Sequence, residues 1–152
     1  MSVPVNCIRN AARALLIERG RILLLRKEGG RFALPGGAQE LGETLQQALQ
    51  RECREEIGSR VEVLRLLHVA DWFKPREGRP PATRQLLEFL FLCRLPADYQ
   101  AHNGPRPDKR QLAVEWLPLD RLPEDALQPA GLLALIRGQA VAEHPVYLGR
   151  LD

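Results

Sequence analysis

The stretch Arg51-Glu52-Cys53-Arg54-Glu55-Glu56 sets three carboxylates at positions i, i+3 and i+4. On an α-helix those positions share one face. Three carboxylates that close repel one another and raise each other's pKa unless a cation sits among them. Hard oxygen ligands of this kind suit Mg²⁺ or Mn²⁺. Pro35-Gly36-Gly37 comes shortly before. Glycine lets backbone N–H and C=O groups approach a metal or a phosphate closely.

The competing reading is a solvated helix face with ordinary ion pairs, and a helical projection argues against it. With Glu52 at the origin and steps of about 100° per residue, Leu45, Ala48, Leu49, Cys53 and Ile57 fall on one apolar arc. Gln46, Gln47, Gln50, Arg54 and Glu43 fall on the opposite side. Glu52 and Glu56 lie inside or beside the apolar arc, and Glu55 flanks it. Carboxylates on the inward side of a helix are costly unless something pairs with them.

The elements that position this helix follow from pattern. Residues 11–17 and 21–26 are apolar and β-rich and read as a hairpin through Glu18-Arg19-Gly20. Alternation is poor in Leu23-Leu24-Leu25, which fits a strand covered on both faces. Residues 32–34 form a short strand running into the glycine turn. Residues 44–57 form the helix, with Gly58 as a natural terminator. Two longer strands, 61–73 and 85–94, flank a basic loop at 74–84. A second loop, Pro- and Asp-rich, covers 96–110. Residues 112–117 form a last strand and 129–142 a last helix. Mixed strands interleaved with two helices indicate α/β layers.

A chain of 152 residues is one domain's length, 1–152, and can bury a real core. Its three cysteines are odd in number and widely spaced. They point neither to a disulfide framework nor to a zinc site, and fit a reducing cytoplasm. No apolar run approaches a membrane span, and the N-terminus lacks a signal-peptide core, so a cytoplasmic location is expected. A net charge of +3 suits an anionic substrate and is too small to imply nucleic acid.

Gly37, then Glu43, then Arg51-Glu52-Cys53-Arg54-Glu55-Glu56-Ile57-Gly58-Ser59 resembles the signature of the Nudix hydrolases, with every fixed Gly, Glu and Arg at its spacing. Cys53 and Ser59 stand where the motif carries bulky aliphatic residues. The resemblance implies an α/β/α sandwich around a mixed sheet, and metal-dependent cleavage of a diphosphate linked to another group. It implies Glu52, Glu55, Glu56 and the Gly37 carbonyl as ligands of Mg²⁺ or Mn²⁺. It implies Arg51 as the residue orienting a glutamate, and Glu43 in support. Glu52 is the first choice of general base, and Glu88, Asp98, Asp108 and Glu115 are the outside candidates. The implied partner is a small nucleotide diphosphate, with no nucleic acid and no membrane, and a homodimer stays open.

Loops at strand ends are where an α/β protein grips phosphates. Residues 74–84 carry Lys74, Arg76, Arg79 and Arg84 against Glu77, and residues 104–110 carry Arg106, Lys109 and Arg110 against Asp108. Arg76 and Arg79 are the expected substrate contacts. Trp72 and Phe73 precede the first loop, and one of them could stack on a nucleobase. Adjacent strand residues point to opposite faces, so at most one serves a given pocket. Trp116 reads as core, and His68 and His102 as structural. In the family a proline sixteen residues past the box, here Pro75, accompanies ADP-ribose hydrolysis. The leading expectation is therefore hydrolysis of ADP-ribose or a sugar nucleotide. The alternatives are a nucleoside-triphosphate pyrophosphohydrolase clearing damaged nucleotides and a non-catalytic nucleotide sensor. The intact glutamate set speaks against the sensor.

Overall fold

The computed structural model describes residues 7–76, 82–139 and 144–151. In chain order the elements are β1 (Arg9–Leu15), β2 (Ile17–Glu18), β3 (Arg21–Lys27), β4 (Arg31–Ala33), β5 (Gly36–Ala38), α1 (Leu45–Ile57), β6 (Glu62–Arg76), β7 (Ala82–Arg94), β8 (Gln111–Pro118), α2 (Leu132–Arg137) and β9 (Tyr147–Arg150).

Two sheets result. The first runs β5-β1-β7-β6-β9, and the second joins β2, β3 and β4 with β8 on the other edge of β3. The first is mixed: β1 pairs parallel with β7 and β6 parallel with β9, while β1–β5 and β6–β7 are antiparallel.

β1 and β3 are buried on both faces. Ala12, Ala14, Leu16, Leu23 and Leu25 pack with Leu49, Cys53 and Ile57 of α1. Leu15, Ile22 and Leu24 pack with Leu133 and Ile136 of α2. Alternate strand residues point to opposite faces, so α1 and α2 lie on opposite sides of the strands, which makes the expected α/β/α sandwich. None of the described helices is long and apolar enough to cross a membrane.

Several sequence expectations need correction. The two apolar runs at 11–17 and 21–26 do not form one long hairpin. Only Ile17 and Glu18 pair with Ile22 and Arg21, and β1 turns away to sit between β5 and β7. Parallel pairing joins segments far apart in sequence and leaves no local signature. The glycine turn is itself a strand, β5, registered on β1 with Gly36 opposite Arg13. The basic loop is mostly strand: Lys74 stands opposite Arg84 and Arg76 opposite Ala82. The last helix is short, starting after Gly131 and ending at Gly138, and β9 follows it unforeseen.

Both ends of α1 are fixed. Thr44 accepts from the Gln47 N–H while the Gln47 side chain accepts from the Thr44 N–H, a reciprocal cap. Gly58 takes the left-handed conformation that ends the helix. The orphan carbonyls of the last turn are then satisfied from outside. The Gly104 N–H and the Gln111 side chain donate to the Glu56 carbonyl, the Arg106 N–H donates to that of Glu55, and the Tyr99 hydroxyl donates to that of Ile57.

Gly36 has φ +135, and a Cβ there would strike the Ala12 carbonyl and stand 2.9 Å from Arg13 Cα. Gly36→Ala should therefore destabilise the protein by about 2 kcal/mol or more. A denaturant titration with an unchanged midpoint would show that β5 does not need this close approach.

Candidate active site

β5 lies between β1 and α1, and its backbone is held from both sides. Arg13 Nη1 donates to the Gly36 carbonyl at 3.0 Å, and the Gly36 N–H donates to Glu56 Oε1 at 2.8 Å. On its far side the Arg13 guanidinium pairs with Glu88 at 3.1 Å. A connected path thus runs from β7 through β1 and β5 to α1. The sequence signal of this role, absent from the expectations above, is an arginine inside the otherwise apolar Ala11-Ala12-Arg13-Ala14-Leu15.

Glu56 is 2% exposed. Burial, helped by the nearby Glu52 charge and opposed by the Gly36 N–H, pushes its carboxyl up to about 8. Burial also raises Glu52, against the pull of Arg51. Glu52 packs directly on Gly37: a Cβ on that glycine would stand 2.6 Å from Glu52 Cδ. Glycine at 37 is what allows the carboxylate to lie against the strand.

Arg51 gathers the acidic groups. It donates to Glu43 at 2.7 and 3.1 Å, to Glu52 at 2.9 Å and to the Ala38 carbonyl at 3.0 Å. Glu55 is 3.7 Å away and Glu40 3.8 Å. These partners, Glu43 first, raise the guanidinium above its ordinary value, and Arg51 in turn holds Glu43 below the usual carboxylate range. Glu43 faces away from the other glutamates on the helical projection, yet Arg51 joins it to them.

Among the described residues, no three acidic, imidazole or thiol side chains are posed together to hold a metal ion. Glu52 and Glu55 are turned toward Arg51, and Glu56 toward Gly36. The donor chemistry nevertheless fits a hard cation. Glu52 and the buried Glu56 flank the same Gly36–Gly37 backbone, and burial holds both carboxyls above their ordinary values.

Glu52, Gly36 and Gly37 line a cavity of about 820 Å³. Trp72 lines it too, whereas Phe73 points to the other side, under the Arg150 guanidinium at 4.5 Å. Trp72 is buried, with Lys74 Nζ over its ring at 5.4 Å. The side chain of Arg76 and the whole of Arg79 lie outside the described residues. From the two basic loops, Lys74, Arg84, Lys109 and Arg110 reach the cavity wall. The outside candidates for general base divide. Glu88 and Asp108 line the cavity but are paired with Arg13 and Lys27, while Glu115 is paired with Arg26 and Asp98 is exposed, neither on the cavity wall. His68 is buried between the Pro145 carbonyl and Gln139, and the His102 ring faces the Gln100 carbonyl. Trp116 packs against the α1 core cluster.

A model of the NUDIX domain matches residues 3–136, and the chain belongs to the Nudix hydrolase family. It is 33% identical over 158 residues to the human 8-oxo-dGDP phosphatase NUDT18, covering 95% of this chain and 45% of that relative. The chain thus spans less than half of that protein's length. A MutT-like protein of Streptomyces ambofaciens is 32% identical over 124 residues, covering 81% of this chain and 71% of the relative. The crystal structure of an ADP-ribose pyrophosphatase from Streptococcus suis 89-1591 superposes with a TM-score of 0.63, covering 95% of this chain and 98% of that one. At 24% identity it shares the fold.

Arg51→Lys should lower stability by about 1–2 kcal/mol, because a single ammonium cannot serve Glu43, Glu52 and the Ala38 carbonyl together. Urea unfolding of the two proteins measures it. An unaltered midpoint would remove Arg51 as the organiser of these carboxylates.

Proposed function

We propose that the chain hydrolyses the diphosphate bond of a nucleoside diphosphate derivative with a divalent metal, Mg²⁺ or Mn²⁺, and that ADP-ribose or a sugar nucleotide is the first substrate to try. The observation that carries this reading is the placement of Glu52 and the buried Glu56 against Gly36–Gly37, with Glu52 and the two glycines at the wall of the 820 Å³ cavity. Membership of a family that uses divalent metals supports it.

In this reading Glu52, Glu55, Glu56 and the Gly37 carbonyl would hold the metal. When bound, it neutralises phosphate charge and makes a water acidic enough to attack at neutral pH. The protein's own part is positioning. Arg51 engages Glu52 Oε1 and so leaves Oε2 to accept a proton from the attacking water. The Gly36 N–H fixes the rotamer of Glu56. Cations on the cavity wall draw in the anionic substrate.

The name of the human relative, an 8-oxo-dGDP phosphatase, favours a second reading, the clearance of damaged nucleotides. Product analysis on a nucleotide panel with Mg²⁺ separates the two. A nucleoside monophosphate plus a phosphorylated sugar supports the first, and orthophosphate or pyrophosphate release from an oxidised nucleotide supports the second.

Chelator-stripped protein should be inactive and should recover with Mg²⁺ or Mn²⁺; full activity without metal would contradict the metal assignment. Glu56→Gln keeps an oxygen to accept the Gly36 N–H while removing the charge. It should cut kcat about a hundredfold, about 2.7 kcal/mol of barrier, with the melting temperature kept or raised. A variant with ordinary kcat would take Glu56 out of the chemistry.

A further inference from the structure

The β6–β7 hairpin turns one face to the cavity. Its rungs place His68 beside Leu90, Ala70 beside Glu88, Trp72 beside Leu86 and Lys74 beside Arg84. The last of these rungs sets two cations directly opposite each other on one face. Like charges so placed weaken a sheet rather than support it. Neither side chain makes an ion pair among the described residues.

Lys74 is exposed to solvent over part of its length. Its Nζ leans back over Trp72, 5.4 Å from the ring centroid. There partial burial of the ammonium, together with the charges of Lys27, Arg13 and Arg84, holds its pKa below the ordinary value. Among the described residues no carboxylate forms an ion pair with this rung, and an anion entering the cavity would relieve the repulsion.

The spacing selects the kind of anion. Glu88, paired with Arg13, is the residue of the hairpin face tied to Gly36 and so to the glutamates. Arg84 lies four residues away along β7, about 13 Å at the strand rise, and the Trp72 rung about half as far. An ammonium leaning over Trp72 therefore stands between about 7 and about 13 Å from the Glu88 rung. That is too far to share one phosphate with the Glu52 end. It suits a second phosphate, carried on the ribose of a nucleotide whose diphosphate lies at Gly36–Gly37.

We propose that Lys74 and Arg84 form a second anion site, which takes a phosphomonoester on the non-reacting end of the substrate, as in a nucleoside diphosphate derivative phosphorylated on its ribose. The inference rests on the reading of the cavity as the nucleotide site given above. It adds a preference that the glutamate motif does not contain.

Calorimetric titration of the full chain at low salt with adenosine 5′-monophosphate and with adenosine 2′,5′- and 3′,5′-bisphosphate tests the site without relying on turnover. One of the bisphosphates should bind about tenfold or more tightly than the monophosphate, and which isomer wins fixes the position of the phosphate. In Lys74→Gln/Arg84→Gln the preference should fall to within about threefold, and in Lys74→Gln alone to an intermediate value. Relief of the like-charge rung should leave the double variant folded. Should it fail to melt cooperatively, the single variant decides by the same reading. A parallel comparison of KM for ADP-ribose and its 2′-phosphate should show the same loss of preference. Equal binding of mono- and bisphosphate by the natural protein overturns the proposal, and so does a preference that survives in the variants. Absence of any hydrolysis would instead count against the diphosphatase reading, with the calorimetry still deciding the anion site.

Discussion

The hydrogen bond from the Gly36 N–H to Glu56 Oε1, at 2.8 Å, ties the one buried carboxyl among the described residues to β5. A carboxyl taken this far out of water must find donors or a cation, or give up its charge. The protein provides one N–H and little more. The surroundings are built to hold that N–H in place. Arg13 clamps the Gly36 carbonyl, Glu88 anchors Arg13, and the side-chain-free backbone at 36 and 37 lets β5 approach β1 and α1 closely. Each of these contacts would be pointless or harmful without the next. A partly satisfied acidic pair beside an open cavity is an arrangement that a bound cation completes.

The fold supplies the rigidity that this requires. β1 and β3 are covered on both faces, by α1 on one side and α2 on the other, so neither strand can shift without opening a core. α1 is capped at its start by Thr44 and Gln47, and at its end the loop from Tyr99 to Gln111 satisfies the last carbonyls. The helix bearing the glutamates is thus fixed at both termini. The long hairpin β6–β7 forms the remaining wall, and its regular alternation presents Trp72, Lys74, Arg84 and Glu88 to one cavity.

What the sequence discloses is local, and what it hides is long-range. The helix at 44–57 is legible because its period, its cap and Gly58 all agree, and the inward placement of Glu56 follows from the same projection. The motif at Gly37 to Ser59 names the family because its charges stand at fixed spacing on that helix. β5 is not legible: three residues led by glycines look like a turn, and only pairing with β1 makes them a strand. β9 is four residues long, ends in a Gly-Arg pair with Gly149 at positive φ, and pairs in parallel with β6. Arg13 and the rung of Lys74 and Arg84 acquire their meaning only from register, which no local pattern states. Trp72 and Phe73 show the useful half of the reading. Alternation requires that one face the cavity and one not, and the structure selects Trp72.

Direct metal binding bears most closely on the claim that the face of α1 turned to Gly36–Gly37 is a cation site. Electron paramagnetic resonance of Mn²⁺ titrated into chelator-stripped protein reports it without substrate. The natural sequence should take up Mn²⁺, and a Glu52→Gln/Glu56→Gln variant that melts normally should lose that uptake about a hundredfold, about 2.7 kcal/mol. Free Mn²⁺ signal throughout the titration of the natural protein, or equal uptake by the variant, would contradict the claim.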